Sequence, residues 1–254
     1  MPLTQQLAAA RILIGINAAF AALEASRMLP RLLTPLVVKL PFFPWLPVLP
    51  SSALPLFLAV WLVAALVFAL GWKTRIAGAV LTLVTGYTLV LDQQTYSNHL
   101  YLLFLVLLLL TMADSGAAWA ILLLKIQVTI VYFFSAAAKI TPQYLAGEIL
   151  TRSLKHEGWL AVPESWRTPA AMSLLAVASI VAELFIAFGL WSPRLRLSAI
   201  VAGTGFHLLL IAVLDSSRLS LGIFALSVFA VYLLFADGTR RRATHALMQR
   251  ESRP

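Results

Sequence analysis

Residues 96–113 read YSNHLYLLFLVLLLLTMA, and this stretch decides the kind of fold. From Leu100 to Ala113 no side chain carries a charge, and the polar residues gather at the start. A helix needs roughly 20 apolar residues to cross a bilayer core of about 30 Å. The stretch therefore predicts a transmembrane helix that begins with polar residues.

The rest of the chain is equally apolar. Of its 254 residues, 61% are hydrophobic and 11% are charged, against about 45–50% and about 25% in soluble domains. We therefore predict an all-α, polytopic membrane bundle, with a transmembrane domain over residues 1–238 and a basic cytoplasmic tail over 239–254. Hydropathy predicts about eight transmembrane helices, at roughly 7–27, 53–71, 76–92, 96–113, 117–139, 169–191, 197–214 and 219–236.

The composition excludes several classes of function. The sequence has no cysteine, which rules out disulfides, thiolate nucleophiles, cysteine-ligated zinc and iron–sulfur clusters. Lys and Arg number 19 against 10 Asp and Glu, but these basic residues are scattered in connections and in the tail. This distribution indicates membrane orientation, so we expect the lipid bilayer and not nucleic acid as the partner. The first apolar segment lacks a cleavage site and is expected to remain as a helix.

Two long connections separate the predicted helices. Residues 30–55 hold seven of the thirteen prolines, which predicts an interfacial or re-entrant connection anchored by Phe42, Phe43 and Trp45. Residues 140–167 mix charged residues with tryptophan, a composition typical of an amphipathic segment at the membrane interface.

Basic residues in the short connections set the predicted orientation. Lys73 and Arg75 lie between helices two and three, and Arg194 and Arg196 lie between helices six and seven. With eight helices, both connections and the basic tail fall on one side, which the positive-inside rule makes the cytoplasm. We therefore predict a multi-pass protein of the cell (inner or plasma) membrane with both termini in the cytoplasm.

The end of predicted helix five carries three polar side chains on one face. Tyr132, Ser135 and Lys139 are spaced three and four residues apart, which aligns a phenol, a hydroxyl and an amine. Lys139 allows two interpretations: a lysine that snorkels to the headgroups, or a desolvated amine that serves as a general base. Lys125, in the first half of the helix, is interpreted as snorkelling toward the opposite face.

The start of predicted helix four brings more polar groups to the same side. Because successive helices alternate in direction, the end of helix three, the start of helix four and the end of helix five share a side. Asp92, Asn98, His99 and Lys139 are therefore predicted at one face, at similar depth, on the extracytoplasmic side. Asp92 is assigned a structural role, and the alternative for His99 is a satisfied residue at the membrane interface.

Four further polar residues lie inside predicted helices, where ionisable groups are costly and are functional candidates by default. For Arg11 and Glu183 we favour a structural role, as a pair or in other hydrogen bonds between helices. Glu24 is predicted near the same face as Lys139. His207 fits buried structural hydrogen bonding and a ligand role equally well. No His and carboxylate spacing predicts a metal site, and there is no glycine-rich phosphate loop.

Two motifs resemble a known family. The run from Leu91 to Leu102, LDQQTYSNHLYL, contains the pair Asn98 and His99, and the helix end from Gln127 to Lys139 comes after it. Together they resemble the vitamin K-dependent gamma-carboxylase family, the group with the horizontally transferred transmembrane (HTTM) domain. The resemblance spans nearly the whole chain. Further positions that fit it are Arg11, Gly15, Asp114, Trp119 and residues 144–147.

The resemblance implies a site and a cofactor. It places the base that deprotonates reduced vitamin K at Lys139, and it places Asn98 and His99 in contact with the hydroquinone. A menaquinol-type hydroquinone is the implied cofactor, with O2 and CO2 as co-substrates. The implied reaction couples epoxidation to carboxylation or another modification of a substrate such as a secreted peptide or protein. Helical spacing adds Tyr132 and Ser135 to the predicted pocket.

These residues are compatible with three alternative functions. The first is a quinol-dependent oxygenase or carboxylase in which Lys139 is the base. The second is a non-catalytic membrane subunit or maturation factor for a secreted partner, in which Lys139 and His99 brace helix ends. A transporter is the weakest hypothesis, because the helices show no paired Gly/Pro interruptions and no inverted repeat.

Overall fold

The computed structural model describes residues 2–33, 37–114, 116–154, 161–214 and 217–236. Its helices, numbered in chain order, are α1 (Leu3–Leu32), α2 (Leu54–Leu70), α3 (Thr74–Leu91), α4 (Asn98–Asp114), α5 (Ala118–Ala138), α6 (Pro142–Leu145), α7 (Glu148–Ser153), α8 (Pro169–Gly189), α9 (Arg196–Val213) and α10 (Arg218–Phe235). Short 3₁₀ turns at Ser51–Ala53 and Glu164–Trp166 precede α2 and α8.

The long helices are the predicted membrane segments. In the described residues seven helices are long and apolar enough to cross a membrane, with α2 counted from the 3₁₀ turn at Ser51, and α4 is a shorter apolar helix of 17 residues. The prediction of an all-α polytopic bundle is therefore confirmed. The second long connection contains α6 and α7. The predicted tail over 239–254, and residues 155–160 of the predicted amphipathic segment, lie outside the described residues.

Helix α1 is longer than the sequence predicts. It ends at Leu32 and contains Pro30, where we expected the proline-rich connection to begin. A proline removes one backbone hydrogen bond, and here the loss falls in the last turn, so the helix continues past it. The chain is non-helical from residue 37 to Pro50. Of the three predicted anchors of this connection, Phe42 and Trp45 are largely exposed and Phe43 is half-buried.

Side chains satisfy the backbone of the proline-rich connection. The hydroxyl of Tyr87 in α3 donates to the carbonyl of Pro47 (3.0 Å) and accepts from the N–H of Leu49 (2.8 Å). The N–H of Val38 donates to the carboxylate of Asp92 (2.6 Å). These backbone groups therefore have hydrogen-bond partners although the connection is not helical.

The described chain forms two compact units. The first, the N-unit, comprises Leu3–Leu124 and Leu219–Leu233. The second, the C-unit, comprises the described parts of Lys125–Arg218 with residues 2 and 234–236.

In the N-unit the first and last long helices are adjacent. The side-chain amide of Asn17 in α1 donates to the carbonyl of Ile223 and to the hydroxyl oxygen of Ser227 in α10, each at 2.9 Å. Asn17 and Ser227 are fully buried. A polar contact inside the apolar interface therefore fixes how α1 and α10 pair.

Glycines allow two close approaches of the backbone. A Cβ on Gly15 would lie 2.6 Å from Cβ of Ala69 and 2.8 Å from the carbonyl oxygen of Ala65, so α1 and α2 pack tightly in the N-unit. In the C-unit Gly147 joins α6 and α7 with a φ of 78°, and a Cβ there would overlap Cβ of Met172 in α8. Gly147 thus holds the turn between α6 and α7 against α8.

Candidate functional site

Lys139 forms an ion pair with α8. It comes directly after Ala138, the last residue of α5, and its Nζ atom lies 2.6 Å from Oε1 of Glu183. The Lys139 side chain is 22% exposed, whereas that of Glu183 is only 4% exposed. Because the carboxylate is buried and charged hydrogen bonds are strong, Lys139 has a specific partner and is not a lysine that simply extends to the headgroups.

Ser135 binds the same carboxylate oxygen. Its hydroxyl donates to Oε1 of Glu183 at 2.8 Å, and it lies one helical turn before Lys139 on α5. The other oxygen of Glu183, Oε2, is buried and has no hydrogen-bond partner among the described residues. Glu183 therefore retains an open acceptor inside the C-unit.

Two aromatic rings lie beside the amine of Lys139. The Nζ atom is 5.8 Å from the ring centroid of Tyr144 and 5.7 Å from that of Phe206. Both distances fall within the range at which an ammonium is attracted to an aromatic face. One carboxylate and two rings thus surround the amine.

Tyr144 is held by its own polar contacts. Its hydroxyl lies 2.8 Å from Oγ of Ser179, which is one turn before Glu183 on α8. Its N–H donates to the side chain of Thr141, which caps α6. Burial raises the pKa of the Tyr144 phenol, the hydrogen bond to Ser179 opposes this, and the charge of Glu183 adds to the rise. The phenol therefore stays protonated near neutral pH and serves as a hydrogen-bonding group.

Tyr132, the third polar residue on the predicted face of α5, has a different partner. Its hydroxyl lies 2.7 Å from Nε2 of His207 in α9, and both residues are buried. The structure thus joins Ser135 and Lys139 on Glu183 and joins Tyr132 to His207. His207 has the buried hydrogen bond that its structural interpretation requires, and a ligand role for it remains a prediction.

His99 forms a second acid–base pair, in the N-unit. Its Nε2 atom lies 2.7 Å from Oε2 of Glu24, and the hydroxyl of Ser220 donates to Oε1 of the same carboxylate. Both oxygens of Glu24 are therefore engaged. Asn98 is exposed in the first turn of α4.

Asp92 ties together the loop between α3 and α4. Its buried carboxylate accepts the N–H groups of Val38 (2.6 Å) and Gln94 (2.7 Å), and its own N–H donates to Oγ1 of Thr95 (3.2 Å). These bonds occupy the carboxylate with backbone partners. Across the described part of the chain, no group of three or more His, Asp or Glu side chains is placed to hold a metal ion.

Arg11 and Glu183 have separate partners. Nη1 of Arg11 lies 3.4 Å from Oδ1 of Asp114 at the end of α4, while Glu183 binds Lys139. The sequence favours a structural role for both, with a mutual pair as one form of it. Each residue meets an opposite charge within its own compact unit.

The predicted meeting of Asn98 and His99 with Lys139 remains a prediction. The first two residues belong to the N-unit and Lys139 belongs to the C-unit. Each unit supplies its own carboxylate partner, Glu24 for His99 and Glu183 for Lys139.

The sequence alone did not identify Glu183 as the partner of Lys139, nor Ser179 and Phe206 as neighbours of the site. One signal was present: Ser135 and Lys139 on α5, and Ser179 and Glu183 on α8, each place a hydroxyl four residues before a charge. Because Lys139 and Glu183 have opposite charges and each follows a serine at the same spacing, the two helices can face each other with these side chains in contact.

The apolar helices and their intramembrane polar pairs define the class: a multi-pass helical membrane protein. The HTTM domain family matches residues 4–121 and 112–239, which together cover nearly the whole chain. The chain belongs to the HTTM family, and the resemblance to this carboxylase-like group is confirmed. No solved structure matches the chain.

Proposed function

We propose that this protein is a quinol-dependent oxygenase or carboxylase, a lyase of the vitamin K-dependent gamma-carboxylase type, with Lys139 as its base. The observation that carries the proposal is the surroundings of Lys139: a buried carboxylate with one open oxygen, and two aromatic faces. These groups suit a planar aromatic molecule that bears hydroxyl groups, as a hydroquinone does.

A menaquinol-type hydroquinone fits these residues. The rings of Tyr144 and Phe206 offer apolar, aromatic contacts, and Oε2 of Glu183 offers an acceptor for a hydroxyl. A bound hydroquinone would supply the electrons for the reaction with O2 that is coupled to the fixation of CO2. Because such a molecule is lipid-soluble, it can enter laterally from the bilayer.

Proton transfer begins with the Lys139 and Glu183 pair. The neutral amine of Lys139, 2.6 Å from Oε1 of Glu183, has a lone pair and can accept a phenolic proton as a general base. The carboxylate and the aromatic faces then stabilise the ammonium that forms.

His99 and Asn98 are assigned to hold and polarise the hydroquinone, by likeness to the family. With Nε2 of His99 directed at Glu24, the Nδ1 atom is the ring nitrogen left for a ligand. Glu24 and Ser220 would thus support the orientation of this ring from behind. The acceptor that is modified would be a secreted peptide or protein.

The proposal is tested by the consumption of hydroquinone. The purified full-length chain in lipid nanodiscs, given a naphthohydroquinone, O2 and bicarbonate, should oxidise the hydroquinone faster than empty nanodiscs do. Lys139→Ala should abolish this turnover. Lys125→Ala, a lysine of the same helix that lies beside the ring of Phe235, is the matched control and should leave turnover unchanged.

The non-catalytic alternative gives a different result. A subunit or maturation factor would show no turnover in the wild type, and Lys139→Ala would instead weaken its association with a co-purifying secreted partner. Equal oxidation by wild type and Lys139→Ala would contradict the assignment of the base.

We further propose a cell (inner or plasma) membrane location with both termini cytoplasmic and the site toward the extracytoplasmic face. Because the chain has no cysteine, single cysteines report orientation without background. In right-side-out membrane vesicles, an impermeant maleimide should label Trp45→Cys directly and Trp72→Cys only after permeabilisation; both positions are exposed. The reverse pattern would invert the proposed topology.

A further inference from the structure

The two oxygens of the Glu183 carboxylate differ in their hydrogen bonds. Oε1 accepts from Nζ of Lys139 at 2.6 Å and from the hydroxyl of Ser135 at 2.8 Å. Oε2 shares the negative charge of the carboxylate, but it is buried and has no hydrogen-bond partner among the described residues. Buried polar atoms are nearly always satisfied, so an open oxygen beside a candidate base points to a ligand that binds there.

We propose that Oε2 of Glu183 accepts a hydrogen bond from a hydroxyl of the ligand, and that this contact makes the site select the reduced, hydroxyl-bearing form of a quinone. The inference rests on the proposed function and adds a role for Glu183 in specificity. A carboxylate oxygen only accepts, so it favours a ligand that donates. A hydroquinone carries two O–H donors, whereas its quinone carries only carbonyl acceptors.

The remaining contacts do not make this distinction. The two redox forms share the same ring system and nearly the same shape, so the faces of Tyr144 and Phe206 accommodate both. As an ammonium paired with Glu183, Lys139 donates equally well to a hydroxyl oxygen or to a carbonyl oxygen. Oε2 of the charged carboxylate can only accept, so within this ion pair it is the group that discriminates.

The experiment measures binding without turnover. Wild-type protein in lipid nanodiscs is equilibrated anaerobically by dialysis against a short-chain naphthohydroquinone, its quinone, and the dimethyl ether of the hydroquinone, which has no donor. The hydroquinone should bind on the order of tenfold to a hundredfold more tightly than either of the other two. This is the difference in affinity expected when the other two ligands leave a buried acceptor without a hydrogen bond.

Variants assign the preference to Glu183. In Glu183→Gln the ratio of the affinity for hydroquinone to that for quinone should fall close to one, because an amide can donate to a quinone carbonyl as well as accept from a hydroxyl. Glu183→Asp, which keeps the carboxylate, should retain part of the preference. Asp114→Asn makes the same carboxylate-to-amide change at the Arg11 pair and should leave the preference at its wild-type value.

Distinct results separate this inference from the proposed function. Equal binding of hydroquinone and quinone by the wild type would overturn the selectivity and leave the proposed function standing, as would an undiminished preference in Glu183→Gln. If the wild type bound neither form, both the selectivity and the proposed function would fail. The comparison of three ligands on the wild type requires no variant to fold.

Discussion

The two acid–base pairs of this protein use the same groups in different ways. Glu24 distributes its contacts, with His99 on one oxygen and Ser220 on the other. Glu183 receives Lys139 and a serine on a single oxygen and leaves its second oxygen open. Each carboxylate thus meets one nitrogen base and one serine, yet only one of them is saturated.

This contrast indicates where a ligand can be accommodated. A saturated carboxylate holds its base in place and has nothing further to offer. An unsaturated one carries an unmet hydrogen bond, which costs about 1–3 kcal/mol until something donates to it. We therefore interpret Glu24 as a support for His99 and Glu183 as part of the binding surface.

Removing the base of the unsaturated pair should perturb the protein most. Lys139→Met leaves the buried carboxylate of Glu183 without its counter-charge, which should lower the free energy of unfolding by about 3–5 kcal/mol. Adding Glu183→Gln removes the stranded charge and should recover more than half of that loss. Denaturing-detergent titration in mixed micelles measures both. Equal losses in the single and double variants would show that the stranded charge is not the cause.

A smaller effect compares the two serines. Ser220→Ala removes the donor to Oε1 of Glu24, which should cost about 1–2 kcal/mol in the same titration. Ser135→Ala should cost less, about 0.5–1 kcal/mol, because Lys139 still binds the same oxygen of Glu183. Equal costs, or the reverse order, would contradict this difference between the two carboxylates.

The weakest effect concerns Tyr144 and applies only to the C-unit pair. Because its pKa is raised in the folded state, the phenol contributes stability that is complete below the ordinary tyrosine pKa of about 10. As the pH rises past that value the unfolded chain ionises first and this stability is lost. Between about pH 9 and about pH 11 the wild type should therefore lose slightly more stability than Tyr144→Phe in the same titration. Parallel pH curves would remove Tyr144 from the electrostatics of the site.

The helices could be predicted because membrane segments are marked by their length. Each apolar run is near the length that a bilayer demands, so the eight-helix pattern needed no tertiary information. The end of α1 was misplaced because Pro30 lies in the last turn, where the hydrogen bond that a proline removes is not enough to end the helix. The position of the turn at Gly147 depends on its contact with Met172 in α8, which no local pattern contains.

The site was predictable along one helix and not between helices. The spacing of Ser135 and Lys139 placed them on one face of α5, and the structure gives them a common partner. That Glu183 is this partner depends on how α5 and α8 pack, which the matching spacing of Ser179 and Glu183 suggests but does not determine. The hydroxyl of Tyr132, on the same predicted face, meets His207, a partner that the spacing along α5 does not identify.

The contact between α1 and α10 sets an order of events during synthesis. Glu24 precedes His99 by 75 residues and Ser220 by 196, and Asn17 precedes Ser227 by 210. At about 5–20 residues per second, α10 emerges roughly 10–40 s after α1. During that interval Glu24 can meet His99 but not Ser220, and Asn17 has neither of its α10 partners. The N-unit therefore closes only when α10 is made, and until then the polar groups of a newly inserted α1 must be shielded in the membrane by other means.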